Sequence, residues 1–347
     1  MLGIATTSAT SAPTKARVMA KGIFTQGVCV LLDRPVSIAE VASALSDFEV
    51  LGIREESEEW AMGGASALVM FDEATGGTVT VDTVDHEWPD GMGDPQTEFM
   101  VFGAWSMGHF GPFAYPGGLD RAEQQSWAWR DAPEVVERHR GFVRLRTSYV
   151  IGKGEDAKCL PEEYDPIAEL QFNNKLVQAL LNLEGALCYY NPNGEVLLDQ
   201  DSFRNSLNYG WANELLPLDI WSNVRLFNID ETWALMDTVG NWQLEVPDIE
   251  ACFVVDDYEV NDVANFLRNA SNYLVQSGAI INDGETMDGP GDIRWAAIQF
   301  ENGICDPPRE TLRFVPLDDH KVPKIVETSG RAEEDQDDDD EPELSGD

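Results

Sequence analysis

Positive charge and histidine are scarce in this sequence. Its 347 residues include 63 Asp and Glu against 23 Lys and Arg, and only four His. The resulting formal net charge of -40 repels nucleic acids and anionic lipid surfaces, so neither is expected as a partner. The acidity favours a basic protein or a divalent cation as a partner, or else serves solubility or adaptation to salt.

Sequence motifs of common enzymes are also missing. There is no P-loop, no G-x-S-x-G and no H-E-x-x-H, which indicates a protein without a reaction centre of these kinds. The five cysteines are odd in number and none belongs to a C-x-x-C pair. Buried free thiols in a reducing compartment fit this usage, and no Sec-type apolar segment opens the chain. We therefore expect a cytoplasmic protein.

Composition divides the chain into four parts. Residues 1–21 are rich in Ser, Thr and Ala and are predicted to be a disordered leader. Residues 323–347 are predicted to be a disordered acidic tail. Between them we expect two α+β halves that pack together, residues 22–152 and 153–322.

The pattern of apolar residues and turn signals predicts an α+β fold. Ser37 and Glu40, and again Asp131 and Glu134, form capping-box patterns at the starts of two helices. Strand patterns surround these helices in the order βαββαβ, which is typical of a ferredoxin-like unit. We therefore expect mixed or antiparallel sheets with helices packed on one face, and a ferredoxin-like first half.

One long stretch, Phe99–Leu119, contains no charged side chain. It is long enough to cross a bilayer, but Pro112 and Pro116 and five glycines would break a membrane helix. We interpret it as an ordered, aromatic-rich loop. It either closes the edge of the core or lines a groove for a ligand or partner.

Aromatic and arginine residues in and after this stretch are the candidate binding residues. Arginine clusters can meet a carboxylate or phosphate, although in so acidic a chain they more often neutralise neighbouring acids. The candidate ligand- or partner-binding residues are Phe110, Phe113, Tyr115, Trp127, Trp129, Arg138 and Arg140.

A dense group of oxygen and imidazole ligands precedes the uncharged stretch. Asp82, Asp85, His86 and Asp90 are the candidate ligands for a divalent cation, since calcium and magnesium prefer oxygen ligands. The spacing matches no EF-hand. The alternative is an acidic surface loop without a metal, and no other cofactor is expected.

Three further segments are informative: GVCVLLDRP, FGPFAYPGGLDRAEQQSWAW followed by DAPEVVERHR, and FLRNASNYLVQSGAIINDGETM. In these segments the chain resembles a bacterial family, domain of unknown function 4261. The resemblance extends from about Gly22 to Leu317. It implies a soluble domain and offers no catalytic residues to carry over.

Three hypotheses for function follow. The first is a non-catalytic interaction or binding module with a strongly acidic surface. The second is a metal-dependent hydrolase or ligand-binding enzyme. The third is an acidic inhibitor of a basic protein that mimics nucleic acid. The oligomeric state does not follow from the sequence.

Overall fold

The structure is a computed structural model that describes residues 20–56, 59–154 and 157–329. Helices and strands are mixed along the chain, and the strands form two mostly antiparallel sheets. The predicted α+β class is therefore confirmed. Most of the predicted leader and tail lies outside the described residues.

Within the described residues, seven strands form the first sheet. They are β1 (Gln26–Leu32), β2 (Val50–Arg54), β3 (Ala65–Asp72), β4 (Gly77–Val84), β5 (Gly141–Ser148), β6 (Ala186–Asn191) and β7 (Val196–Asp199). Their order across the sheet is β2-β3-β4-β5-β1-β6-β7, and neighbouring strands are antiparallel throughout. The first sheet thus continues past the predicted boundary at residue 152, because β6 and β7 join it.

The ferredoxin-like arrangement predicted for the first half is not confirmed. Such a unit needs parallel neighbours linked by crossover connections. Here β5 pairs with β4 on one side and with β1 on the other, both antiparallel. The segment between β4 and β5 therefore returns the chain to the adjacent strand instead of crossing over the sheet.

Helices cover both faces of this sheet, not one as predicted. The helices in the first two thirds of the chain are α1 (Ile38–Ala44), α2 (Phe99–Ser106), α3 (Gly118–Gln124), α4 (Ala132–Glu137), α5 (Pro166–Leu180), α6 (Gln200–Asn213) and α7 (Leu218–Trp221). Alternate residues of β1 pack into different clusters: Val30 joins the core beneath α1 and α5, while Leu31 joins the cluster that contains Trp105 and Phe110. Because β1 is buried on both sides, its sequence from Val28 to Leu32 is a continuous apolar run.

Six described strands form the second sheet. They are β8 (Asn223–Asn228), β9 (Trp233–Val239), β10 (Asp248–Val254), β11 (Thr286–Gly289), β12 (Ile293–Phe300) and β13 (Thr311–Pro316), in the order β11-β12-β13-β10-β9-β8. Only the β10–β13 pair among them is parallel. Helix α8 (Val260–Ser277) packs on one face, and α9 (Lys324–Thr328) places Val326 in the cluster on the other. The described part of the predicted tail thus contains a short helix.

Local sequence signals account for the starts of α1 and α5. Ser37 and Glu40 form the predicted capping box of α1, and the Asp165 side chain accepts from the backbone of Ile167 and Ala168 at the start of α5. The second predicted capping box is wrong, because Asp131 makes no side-chain cap hydrogen bond to α4.

The uncharged stretch begins with a helix, not with the predicted loop. Residues Phe99–Ser106 form α2, which places Trp105 in the core. The chain then turns at Gly108 and Gly111, both at positive φ, and continues without regular structure to α3. No helix in the described residues is long and apolar enough to cross a membrane.

Candidate functional site

An ion-pair cluster lies around Asp82, on the face of the first sheet that packs against Trp105 and Phe110. Arg144 stands directly opposite Asp82 on β5, and Arg146 follows two residues later on the same face. The Asp82 carboxylate accepts from Arg144 Nη2 at 2.8 Å and from Arg146 Nη2 at 3.0 Å. It also accepts from the backbone N–H of Gly64. All three ionised side chains are buried.

The electrostatics of this cluster favour a charged Asp82. Burial by itself would raise the pKa of its carboxyl, but Arg144 and Arg146 outweigh burial and lower the pKa to about 2. Burial, together with these arginines, lowers the pKa of His109 to about 4. His109 is therefore neutral at pH 7, and its Nδ1 lies 2.7 Å from Arg146 Nη1 and 2.6 Å from the carbonyl oxygen of Met62. The cluster has the geometry of a structural ion pair.

The structure does not bring the four candidate metal ligands together. Asp82 is occupied by arginines, while Asp85 is exposed and pairs with His86 at 2.8 Å. The His86 ring stacks on Trp60. Asp90 lies elsewhere and accepts from the backbone N–H groups at the start of α3. Across the described ranges, no group of three or more His, Cys, Asp or Glu is placed to hold a metal ion.

Replacing Asp90 with alanine is expected to lower the free energy of unfolding by about 1 kcal/mol, because Leu119 N and Asp120 N each lose an acceptor. Urea denaturation of the two proteins in metal-free buffer measures the difference. Asp90→Asn keeps one acceptor oxygen and should lose about half as much. A loss seen only when a divalent cation is present would instead favour a metal-binding role for Asp90.

The candidate aromatic residues are distributed between core and surface. Phe110 lies within the core, with its ring 5.0 Å from that of Trp105 and under the guanidinium of Arg144. Phe113 and Tyr115 are half-buried, and the Lys21 ammonium lies 4.2 Å from the Tyr115 ring. The uncharged stretch therefore closes one side of the core.

The remaining candidate binding residues range from half-buried to exposed. Trp127 is 63% exposed, while Trp129 is half-buried against the same cluster as Phe110. Arg138 is exposed, and the Arg140 guanidinium pairs with Glu87 at 3.0 Å. Arg140 thus neutralises a neighbouring acid, which is the alternative that the sequence left open.

A second buried ion network stabilises the second sheet and its junction with the first. Asp237 accepts from Arg225 and Arg309, each at 2.6 Å. Arg225 also reaches Glu195 at 2.9 Å, and Glu195 in turn pairs with Arg121 of α3. The network therefore connects α3, the turn before β7, and strands β8 and β9.

Paired charges in the interior leave the acidic excess on the surface. The buried arginines in the described residues are Arg144, Arg146, Arg225, Arg309 and Arg313, and the buried acids are Asp82, Glu169, Glu195, Asp237, Asp248 and Glu250. These two sets nearly cancel. The surplus of Asp and Glu over Lys and Arg in the described part of the chain is therefore exposed to solvent.

A groove of about 650 Å³ lies between α6 and α8. Gly210 shapes one end, because a Cβ there would lie 3.0 Å from the carbonyl oxygen of Leu215. The α6 helix ends at Asn213, and Glu214 follows it in the left-handed conformation. The Leu215 backbone N–H then donates to the carbonyl oxygen of Gly210. Leu215 and Tyr209 remain exposed at the groove.

The polar lining of this groove consists mainly of carboxamides. Asn205 comes from α6, and Asn265, Asn269 and Asn272 come from α8. Asn205, Asn265 and Asn269 are exposed, and their side chains have no hydrogen-bond partner among the described residues. The described lining includes no His or Cys. It offers hydrogen bonds and apolar contact, without an activated nucleophile.

One ion pair borders the groove. Arg268 donates to Ser222 O at 2.6 Å and pairs with Asp219 at 2.8 Å, while the Asp219 side chain is 65% exposed. Burial lowers the pKa of Arg268 despite the opposing effect of Asp219. The cation is thus held below the surface while its carboxylate partner reaches solvent.

A second groove, of about 630 Å³, lies between α1 and α5. Its lining includes the carboxylates of Glu40, Asp47 and Glu184, together with Lys175. Hydrogen bonds from Ser37, followed by the Arg34 guanidinium, lower the pKa of Glu40 to about 2. This groove is more acidic than the one between α6 and α8, but it lacks the row of unpartnered carboxamides.

The C-terminal part of the chain matches a known family model. Residues 237–315, from β9 to β13 and including α8, match the model described as Domain of unknown function (DUF4261). Residues 237–315 are therefore similar to this family. No curated protein and no solved structure matches the chain. The resemblance found in the sequence is confirmed for this segment, and Asn265, Asn269 and Asn272 lie inside it.

Sequence reasoning did not identify the groove. The helical spacing of Val263, Leu267 and Leu274 in the sequence predicts the apolar face of α8, and all three residues are buried. The signal for the groove was on the other side of the same helix, where Asn265 and Asn269 are spaced by one helical turn. The approach of α6 to this side follows from the tertiary structure alone.

Proposed function

We propose that this protein is a non-catalytic interaction module that binds a basic protein. The observation that carries the proposal is the near-cancellation of buried charges, which leaves the acidic excess on the surface. Such a surface attracts a cationic partner and speeds its encounter with the protein. The groove between α6 and α8 adds exposed hydrogen-bonding and apolar groups to this attraction.

We also propose a cytoplasmic location. All five cysteines of the sequence are free, and Cys29, Cys188 and Cys252 are buried. Burial raises the pKa of each of these three thiols, so they remain protonated and unreactive at neutral pH. Free, buried thiols are typical of a reducing compartment.

Binding of a short basic peptide tests the proposal. The probe is a fluorescent peptide of alternating Lys and Val, and its control has Glu at each Lys position. Anisotropy titrations of the full chain should detect the Lys peptide only. Its affinity should fall at least about tenfold between ionic strengths of about 0.1 M and 1 M, because the screening length shortens from about 10 Å to 3 Å.

Equal binding of both peptides, or no binding of the Lys peptide at the lower ionic strength, would contradict the proposal. A duplex DNA of similar length serves as a further control and should not bind.

A further inference from the structure

Two helices present unpartnered carboxamides to the same groove. Asn265 and Asn269 lie on α8, and Asn205 lies across the groove on α6. A carboxamide has one acceptor oxygen and a donor NH2 group, so it matches the N–H and C=O of a peptide unit. No described residue satisfies these three side chains, and each is therefore free to bind an incoming main chain.

The spacing along α8 matches an extended chain. Asn265 and Asn269 are four residues apart, which is about 6 Å along a helix axis. Two residues of an extended strand cover about 6.6 Å, and its side chains alternate between two faces. A strand lying along α8 would therefore present an equivalent peptide unit to each carboxamide.

We propose that the groove between α6 and α8 binds a basic peptide segment in extended conformation, with Asn265 and Asn269 hydrogen-bonding its main chain at alternate residues. The proposal rests on the function proposed above and names its site. In this arrangement the peptide side chains that face the groove pack on Tyr209 and Leu215 of the protein. The peptide side chains that point away from the groove are Lys or Arg.

The acidic excess of the chain as a whole favours a basic occupant over an acidic one. Asp219 carries the exposed carboxylate of the groove, whereas its partner Arg268 is largely covered. Glu214, next to Leu215, is also exposed. In known complexes with extended peptides, main-chain hydrogen bonds supply affinity and alternate side chains supply specificity.

Calorimetric titration of the full chain with the Lys-Val peptide tests the site. A second peptide of the same sequence carries N-methyl groups at alternate residues, which removes main-chain donors and keeps the charge. Asn265→Ala with Asn269→Ala should weaken binding of the first peptide about 25-fold, at about fivefold for each carboxamide. The same double variant should change binding of the methylated peptide less than about twofold.

One control variant and one stability measurement keep this result interpretable. Asn208→Ala removes an exposed asparagine of α6 that does not line the groove, and should bind as the wild type does. Alanine is a better helix former than asparagine. The midpoint temperature of thermal unfolding of the double variant should therefore be no lower than that of the wild type.

The outcomes separate this proposal from the broader function. If the double variant binds the first peptide as tightly as the wild type does, the groove assignment is wrong, although salt-sensitive binding would still support a basic partner. If Asp47→Asn with Glu184→Gln abolishes binding instead, the site is the groove between α1 and α5. If the wild type binds neither peptide, both proposals are overturned.

Discussion

Replacing Asp82 with asparagine is expected to lower the free energy of unfolding by about 3–5 kcal/mol. The substitution keeps the shape of the side chain and removes the charge that faces Arg144 and Arg146. Both guanidiniums are buried and would then lack their carboxylate partner. Urea denaturation at pH 7, followed by tryptophan fluorescence and circular dichroism, measures the loss.

Asp85→Asn is the matched control for this measurement. Asp85 is three residues away and exposed, so its substitution should change the free energy of unfolding by less than about 0.5 kcal/mol. Similar losses in both variants, together with a divalent cation that stabilises the wild type but neither variant, would contradict the ion-pair interpretation. That result would restore the metal site that the sequence suggested.

Replacing Glu169 with glutamine is expected to remove much of the pH dependence of the free energy of unfolding. Burial raises the pKa of the Glu169 carboxyl from 4.5 to about 7, although a hydrogen bond from Thr25 Oγ1 at 2.6 Å opposes the shift. The folded protein therefore holds a proton that the unfolded chain releases between pH 4.5 and 7. Wild-type stability falls by about 3 kcal/mol over this window because of Glu169.

Urea denaturation at several pH values between 5 and 8 tests this expectation. Glu169→Gln cannot ionise, so its stability relative to the wild type should rise as the pH increases. Asp248 has a pKa raised to about 6, chiefly by burial, and will give both proteins a similar residual slope. Glu163→Gln, an exposed control, should follow the wild type. A stability difference between Glu169→Gln and wild type that is constant with pH would refute the buried-proton account.

Several elements could be predicted because their causes lie within a few residues of sequence. Ser37 and Asp165 satisfy backbone N–H groups of the helices that they precede, and this requires no distant partner. The hairpin between β3 and β4 turns at Gly76, which has positive φ and suits glycine. The apolar period of α8 likewise predicted its buried face.

The candidate metal site could not be judged from spacing alone. Asp82 and Asp85 are close in sequence, but Asp82 lies within β4 and faces inward, whereas Asp85 follows the end of the strand. The partners of Asp82 come from β5, about sixty residues later, as Arg144 and Arg146. Two arginines spaced by two in an apolar strand were a visible sign of a buried ion pair, but only strand pairing identified their partner.

The sequence by itself determined the α+β class, the acidic charge and the start of several helices, because composition and local hydrogen bonding decide these properties. The tertiary structure alone decided that β6 and β7 extend the first sheet, that arginines and acids pair in the interior, and that α6 approaches the carboxamide side of α8. These features depend on contacts between residues far apart in the chain. The energies of these contacts come from ion pairing and burial in the folded state. Neither can be predicted from a short segment of sequence.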